Sequence, residues 1–109
     1  MKNNYYITTP IYYPSAKPHM GHAYSSIVAD FFARFKRISE HNVFFLTGTD
    51  EHGQKIQRAA LEAKKDTLDF CNEISSNFKD LSDILNLSND DFIRTTEKRH
   101  KMAVENLWN

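Results

Sequence analysis

The sequence predicts an α/β protein: the first half of a doubly wound, Rossmann-like parallel sheet that opens strand–helix–strand and continues in helices. Three observations predict it. An aromatic and β-branched run, "NNYYITTP" (residues 3–10), is followed after a proline-rich stretch by a long apolar period of 3.6 residues, and then by a short apolar run, "VFFLT" (43–47). The chain between the two extended runs is long enough for a parallel crossover. Residues with distinctive chemistry crowd into the two segments just past the strands, 9–22 and 48–53, which is where open α/β sheets bind ligands.

Each element has a local cause. Residues 3–10 read as a strand that stops at Pro10. "IYYPSAKPH" holds two prolines and cannot be regular. A helix begins near Met20 or Gly21, with Ala23, Ile27, Phe31, Phe35 and Ile38 on its apolar face and Val28 and Phe32 beside it. "SEHN" ends it. Residues 43–47 are too short a run for a helix and suit a strand buried on both faces. "GTDEHG" is a loop, and residues 54–65 form a second helix rich in Ala, Gln, Lys and Glu. A third helix runs from about Thr67 to Asn86, capped by Asp66, with Phe70, Ile74, Phe78, Leu81 and Leu85 on one side. "LSNDD" is a turn, "FIRT" (92–95) a short third strand, and a final helix follows with Thr96 as its cap and Met102, Ala103 and Leu107 along one face.

Composition bounds the function. The 109 residues make one small domain, and 40% apolar residues with 13% aromatics are enough for a core. Fourteen residues of each sign leave no net charge, so no global basic field argues for nucleic acid. The single cysteine, Cys71, excludes an internal disulfide framework and a multi-cysteine zinc site in this chain, and fits a reducing compartment. No apolar run approaches the about 20 residues of a membrane span, and "MKNNYY" lacks the apolar segment of a secretory signal. A cytoplasmic protein is the expectation. The last helix stops at Trp108-Asn109 without glycine, proline or a polar tail, which predicts a truncated chain.

The chemistry lies in the two loops. A helix N-terminus carries partial positive charge and unpaired N–H groups that attract phosphate. His19 and His22, three apart, fall near one another on its first turn. Each imidazole can donate to an anionic oxygen, Gly21 leaves room for a flat ring on the backbone, and Lys17 adds charge. This predicts a nucleotide site. It is not a Walker loop, which needs more glycines and a Gly-Lys-Ser/Thr end. In "GTDEHG", Asp50 is the first carboxylate past a buried strand and can hold an ammonium ion, accept a proton or bind a metal. An ordinary polar turn is the plainer reading of that segment alone. Tyr12 and Tyr13 are either strand-end aromatics or walls of an apolar pocket. His19, His22, Asp50 and His52 could instead converge as ligands of a metal-dependent hydrolase. Arg94 and the cluster "KRHK" (98–101) read as solvated charge.

"TTPIYYPSAKPHMGHAY" resembles the first signature of class I aminoacyl-tRNA synthetases, His-Ile-Gly-His, with Met20 in place of isoleucine. "VFFLTGTDEHGQKIQ" is similar to the second-strand segment of the methionyl-tRNA synthetase family, and the similarity extends through "FIRTTEKRH". The resemblance implies that residues 1–109 are the N-terminal part of a nucleotide-binding catalytic domain. It implies methionine–tRNA ligation: L-methionine is activated with ATP and Mg²⁺ to methionyl-adenylate and passed to tRNA(Met), the tRNA binding through parts of a longer protein. Carried over residue by residue, His19, Gly21 and His22 match the residues that receive ATP, with His19 and His22 the catalytic pair. Asp50 matches the carboxylate that holds the methionine ammonium group, and Pro10, Ile11 and Tyr13 match positions lining the amino-acid pocket. The family's second signature, Lys-Met-Ser-Lys-Ser, is not met: "HKMAVEN" holds Lys101-Met102, but alanine and valine follow inside a helical pattern. The expectation is a chain that carries half an active site and is inactive alone. The alternatives are a stand-alone nucleotide- or methionine-binding module and the metal hydrolase.

Overall fold

The computed structural model describes residues 2–15 and 17–109; Ala16, inside the stretch expected to be irregular, lies outside the described residues. The elements run β1 (Asn4–Thr8), α1 (Met20–Ile38), β2 (Asn42–Thr49), α2 (Gln54–Glu62), α3 (Thr67–Ile84), β3 (Asp91–Arg94) and α4 (Lys98–Trp108). The strands form one parallel sheet in the order β1-β2-β3, with Ile7 opposite Phe45 and Thr47 opposite Phe92. The strand–helix–strand opening is as expected. β2 reaches two residues further than "VFFLT" and takes Gly48 and Thr49 from the expected loop.

Side-chain alternation places the helices. Phe45, with Ile7 and Val43 beside it, packs on Ala29 and Ala33 of α1. Thr47 shares that face of β2, and its neighbour Phe92 packs against the cluster of Ile56, Ala60, Phe70, Ile74 and Phe78 from α2 and α3. Both crossovers therefore cover the same face, as right-handed connections between successive strands in the order 1-2-3 require. On the other face Tyr6 and Phe44 stack on each other, ring centroids 6.1 Å apart, and both are exposed. The Cα positions span 52 × 38 × 16 Å, a slab of one sheet and one helix layer. Among the described residues β2 is thus covered on one face, where its unbroken apolar run suggested both.

The expected face of α1 is also corrected. The helix turns Ser26, Ala29, Asp30 and Ala33 inward, while Phe31 is 63% exposed and Ile38 82%. Small residues let the helix approach the sheet closely, and Asp30 is held there by real partners. Its carboxylate accepts the Ser88 N–H (2.7 Å), the Ser88 hydroxyl and Arg34 Nε (2.8 Å). Burial alone would push that carboxyl up; the Ser88 and Arg34 hydrogen bonds hold it below its ordinary value. Arg37 and Asp90 extend the tie to the Phe45 N–H of β2, which donates to Asp90 at 2.8 Å.

α3 follows expectation. Asp66 accepts the Leu68 N–H at 3.1 Å as its cap, and Phe70, Ile74 and Phe78 are buried, with Leu81 and Leu85 at the margin. For α4 the cap residue is Glu97, not Thr96, and none of its residues is buried. Among the described residues, no helix is long and apolar enough to cross a membrane.

Candidate functional site

α1 starts on a capping box built from two imidazoles. His19 is the N-cap residue, and its Nδ1 accepts the Gly21 N–H at 3.0 Å. His22 reaches back, and its Nδ1 accepts the His19 N–H at 3.0 Å. Two donors that the helix cannot satisfy itself are thereby paired. The rings stack with centroids 3.9 Å apart. Gly21 leaves the His19 ring its place, because a Cβ there would lie 2.9 Å from His19 Cε1 and the ring would have to shift.

This pairing assigns the tautomers. A neutral imidazole accepting at Nδ1 carries its proton on Nε2. Both rings therefore hold an Nε2–H donor, and neither Nε2 has a partner among the described residues. The His22 ring is half-buried, edge-on to Tyr12 (5.0 Å) and Phe78 (4.9 Å). Burial lowers the His22 pKa, and the neighbouring His19 lowers it further. The site thus presents two Nε2–H donors at the positive end of a helix dipole.

Tyr12 joins this helix start to the second loop. Its side chain is buried, stacked on Phe78, and hydrogen-bonded to Ser26 of α1. Its backbone extends the sheet past β1: the Tyr12 N–H donates to the Gly48 carbonyl (2.9 Å), and the Asp50 N–H donates to the Tyr12 carbonyl (2.7 Å). Tyr13 points the other way and donates its hydroxyl to the His52 carbonyl at 2.7 Å. Gly53 is fixed by this contact and by its backbone: φ is +121°, and a Cβ would meet the Tyr13 hydroxyl at 2.3 Å. The expected pocket residues Pro10, Ile11 and Tyr13 are all exposed on this loop. An open groove of about 300 Å³ lies between His52 of the second loop and α4, lined by His52, Thr95, His100, Lys101, Val104 and Glu105.

The two acidic residues of the second loop have opposite environments. Asp50 is partly exposed, and among the described residues its carboxylate meets no cation or donor. The Glu51 side chain has no exposed surface. It accepts Arg94 Nε (2.7 Å) and Nη2 (2.8 Å), the Thr49 hydroxyl (2.6 Å) and the Thr96 hydroxyl (3.0 Å). Burial would raise the Glu51 carboxyl; the Arg94 and Thr49 hydrogen bonds and the Arg94 charge outweigh it and hold it low. Arg94, at the end of β3, is therefore not the solvated charge that the sequence suggested. Nor does Thr96 cap α4. Sequence reasoning missed Glu51 because its partner lies 43 residues away.

The metal-ligand alternative finds no ligand set. Among the described residues no three His, Cys, Asp or Glu side chains gather to hold an ion, and His52 Nε2 is turned to the Thr95 carbonyl at 3.2 Å.

The helix start should be sensitive to acid. His22 has a folded pKa below its ordinary value, so the stability it contributes is complete above about pH 6.5 and is lost as the pH falls toward its folded pKa. The carboxylates with resolved shifts, among them Asp30 and Glu51, are held below their ordinary range and titrate lower still. Thermal melts between about pH 7.5 and 5.5 should show a steeper loss in the wild type than in His22→Gln, whose amide can accept the same N–H without titrating. Parallel curves would remove His22 as the titrating cap.

Residues 5–109 match the family model described as tRNA synthetases class I (M). Methionine–tRNA ligase of Rickettsia bellii (strain RML369-C) is 56% identical over 108 residues, which is 99% of this chain and 21% of the relative. Methionine–tRNA ligase of Listeria monocytogenes serovar 1/2a is 53% identical over 107 residues, 98% of this chain and 16% of the relative. A crystal structure of Mycobacterium tuberculosis methionyl-tRNA synthetase bound by methionyl-adenylate superposes with a TM-score of 0.95 at 48% identity, over 97% of this chain and 21% of that one. The chain thus spans about a fifth of the length of the relatives it matches.

Proposed function

Because the chain belongs to the class I (M) tRNA synthetases, we propose that it forms the N-terminal part of the catalytic domain of a methionine–tRNA ligase, with His19, Gly21 and His22 receiving ATP and Asp50 holding the methionine ammonium group. The substrates are L-methionine, ATP as its Mg²⁺ complex, and tRNA(Met), the last bound by further parts of a longer protein acting in the cytoplasm. One observation carries the reading: adjacent parallel strands deliver the histidine-capped helix start and the Asp50 loop side by side, joined through Tyr12.

The chemistry follows from what these groups can do. The methionine carboxylate attacks the α-phosphorus of ATP in line, the new P–O bond forms, and pyrophosphate leaves with the electron pair of the old one. No covalent nucleophile is needed from the protein, which acts by positioning and by meeting charge that grows on the phosphates. The Nε2–H groups of His19 and His22 are suited to donate to phosphate oxygens, because their tautomers are fixed before any ligand arrives. Donors that bond better in the transition state than in the ground state raise the rate. Pro10, Ile11 and Tyr13 supply apolar and aromatic surface for the flexible methionine thioether.

The test is methionine-dependent ATP–pyrophosphate exchange. The full-length protein should catalyse it, and residues 1–109 alone should not. Exchange by this chain alone at the full rate would establish a self-sufficient module instead. No methionine-dependent exchange by the full-length protein would end the reading.

A further inference from the structure

Adjacent residues of an extended chain turn their side chains to opposite sides, and the Asp50–Glu51 pair uses this to separate two carboxylates. Glu51 faces inward and takes up the guanidinium of Arg94. Asp50 is left partly exposed without a cation among the described residues. Arg94 is also the hub of the surrounding elements. Its Nη2 donates to Asn72 Oδ1 of α3 at 2.7 Å, and its own N–H donates to Glu97, the cap residue of α4, at 3.0 Å. The Glu51 N–H donates to the Thr95 hydroxyl at 2.8 Å, and the Glu51 carbonyl accepts from Cys71 Sγ. The loop that bears Asp50 is therefore clamped from β3, α3 and the start of α4 through the residue next to Asp50.

We propose that Arg94, acting through Glu51, is a positioning residue for the amino-acid subsite: the buried pair fixes residues 50–53 and occupies the nearby cation, so that the Asp50 carboxylate stays in place and unneutralised for the ammonium group of the substrate. This rests on the reading of Asp50 given above. Arg94 touches neither substrate nor phosphate in this role. Its fork matches Glu51 in a bidentate geometry that lysine cannot reproduce. Removing it leaves a buried carboxylate with no counter-charge, which must protonate or swing outward. Either response moves its neighbour.

The experiment is steady-state ATP–pyrophosphate exchange by the full-length protein, with methionine and ATP varied separately. Arg94→Gln should raise the methionine KM by about tenfold or more, since a displacement near 1 Å disables a positioned group, and leave the ATP KM within about twofold. Arg94→Lys, which keeps the charge and loses the fork, should fall between Arg94→Gln and wild type. Glu51→Gln with Arg94→Gln should recover part of the methionine KM, because two amides can bond where one charge alone cannot. A role confined to folding would lower the active fraction, and with it kcat, while both KM values stayed at wild type; that result overturns the proposal. If Arg94→Gln does not fold, Arg94→Lys and the double variant decide in the same way. Failure of the wild type to exchange with methionine sinks the functional reading and this proposal together. An active wild type whose Arg94 variants keep its methionine KM sinks this proposal alone.

Discussion

Replacing His22 with alanine in the full-length protein is expected to slow methionyl-adenylate formation by about 10²-fold or more, with little change in methionine affinity. The expectation comes from where the ring's two nitrogens go. Nδ1 is committed to the backbone N–H of His19, so Nε2–H is the group available to a phosphate oxygen. A preorganised donor aimed at developing charge contributes roughly 3 kcal/mol, which is the stated loss in rate. In the proposed reading the methionine ammonium group is met by Asp50 on the other loop, one strand away from His22, so methionine affinity should be largely spared. His22→Ala also removes a helix cap, at a cost of about 1 kcal/mol, and this must be told apart from the loss of a donor. His22→Gln supplies the distinction: its amide can keep the cap, yet its amide group cannot reproduce the position of the Nε2–H. It should remain as slow as the alanine variant and melt closer to wild type. A gain in rate that tracks the gain in melting temperature would assign His22 to structure.

The order of elements was legible because each depends on local chemistry. The aromatic and β-branched run marks β1, the 3.6 period marks α1, and Asp66 caps α3. The juxtaposition of the two loops was legible for the same reason, since a helix between two strands makes them parallel neighbours. What the chain concealed was the direction its surfaces face. Periodicity ranks the faces of a helix by hydrophobicity, and α1 has large apolar residues on the side turned away from the sheet. Ala29 and Ala33 let the helix approach Phe45 closely and lie inward, while Phe31 and Phe35 lie outward. The Glu51–Arg94 pair was concealed by a different cause. Single charges are solvated as a rule, and nothing in the turn that holds Glu51 or in the strand that holds Arg94 signals the other. Tyr12 and Tyr13 could not be separated either. Only the bridge from Tyr12 to Thr49 shows that the strand alternation continues and sends one ring into the core and the other out.

Asp50→Ala should give the complementary result: methionine KM raised by about 10²-fold, ATP KM little changed. A carboxylate that pairs with an ammonium group in a partly desolvated site contributes roughly 3 kcal/mol when the partner is left unpaired by truncation, which is about that factor in affinity. The position of Asp50 supports the assignment more firmly than its charge does, since Glu51 beside it carries the same charge and is fully occupied by Arg94. Asp50→Asn tests charge against shape; it keeps the side-chain outline and should lose nearly as much affinity as alanine. A methionine analogue without the ammonium group completes the comparison. It should bind wild type and Asp50→Ala alike, because the interaction removed by the mutation is one the analogue never makes. Equal losses for methionine and for the analogue would mean that Asp50 shapes the loop and does not read the amine. A rise in ATP KM alone would move Asp50 to the nucleotide half of the site. Either outcome would end the proposed division of labour, in which imidazoles meet phosphate and a carboxylate meets the amino acid, while leaving the Tyr12 link between the two loops in place.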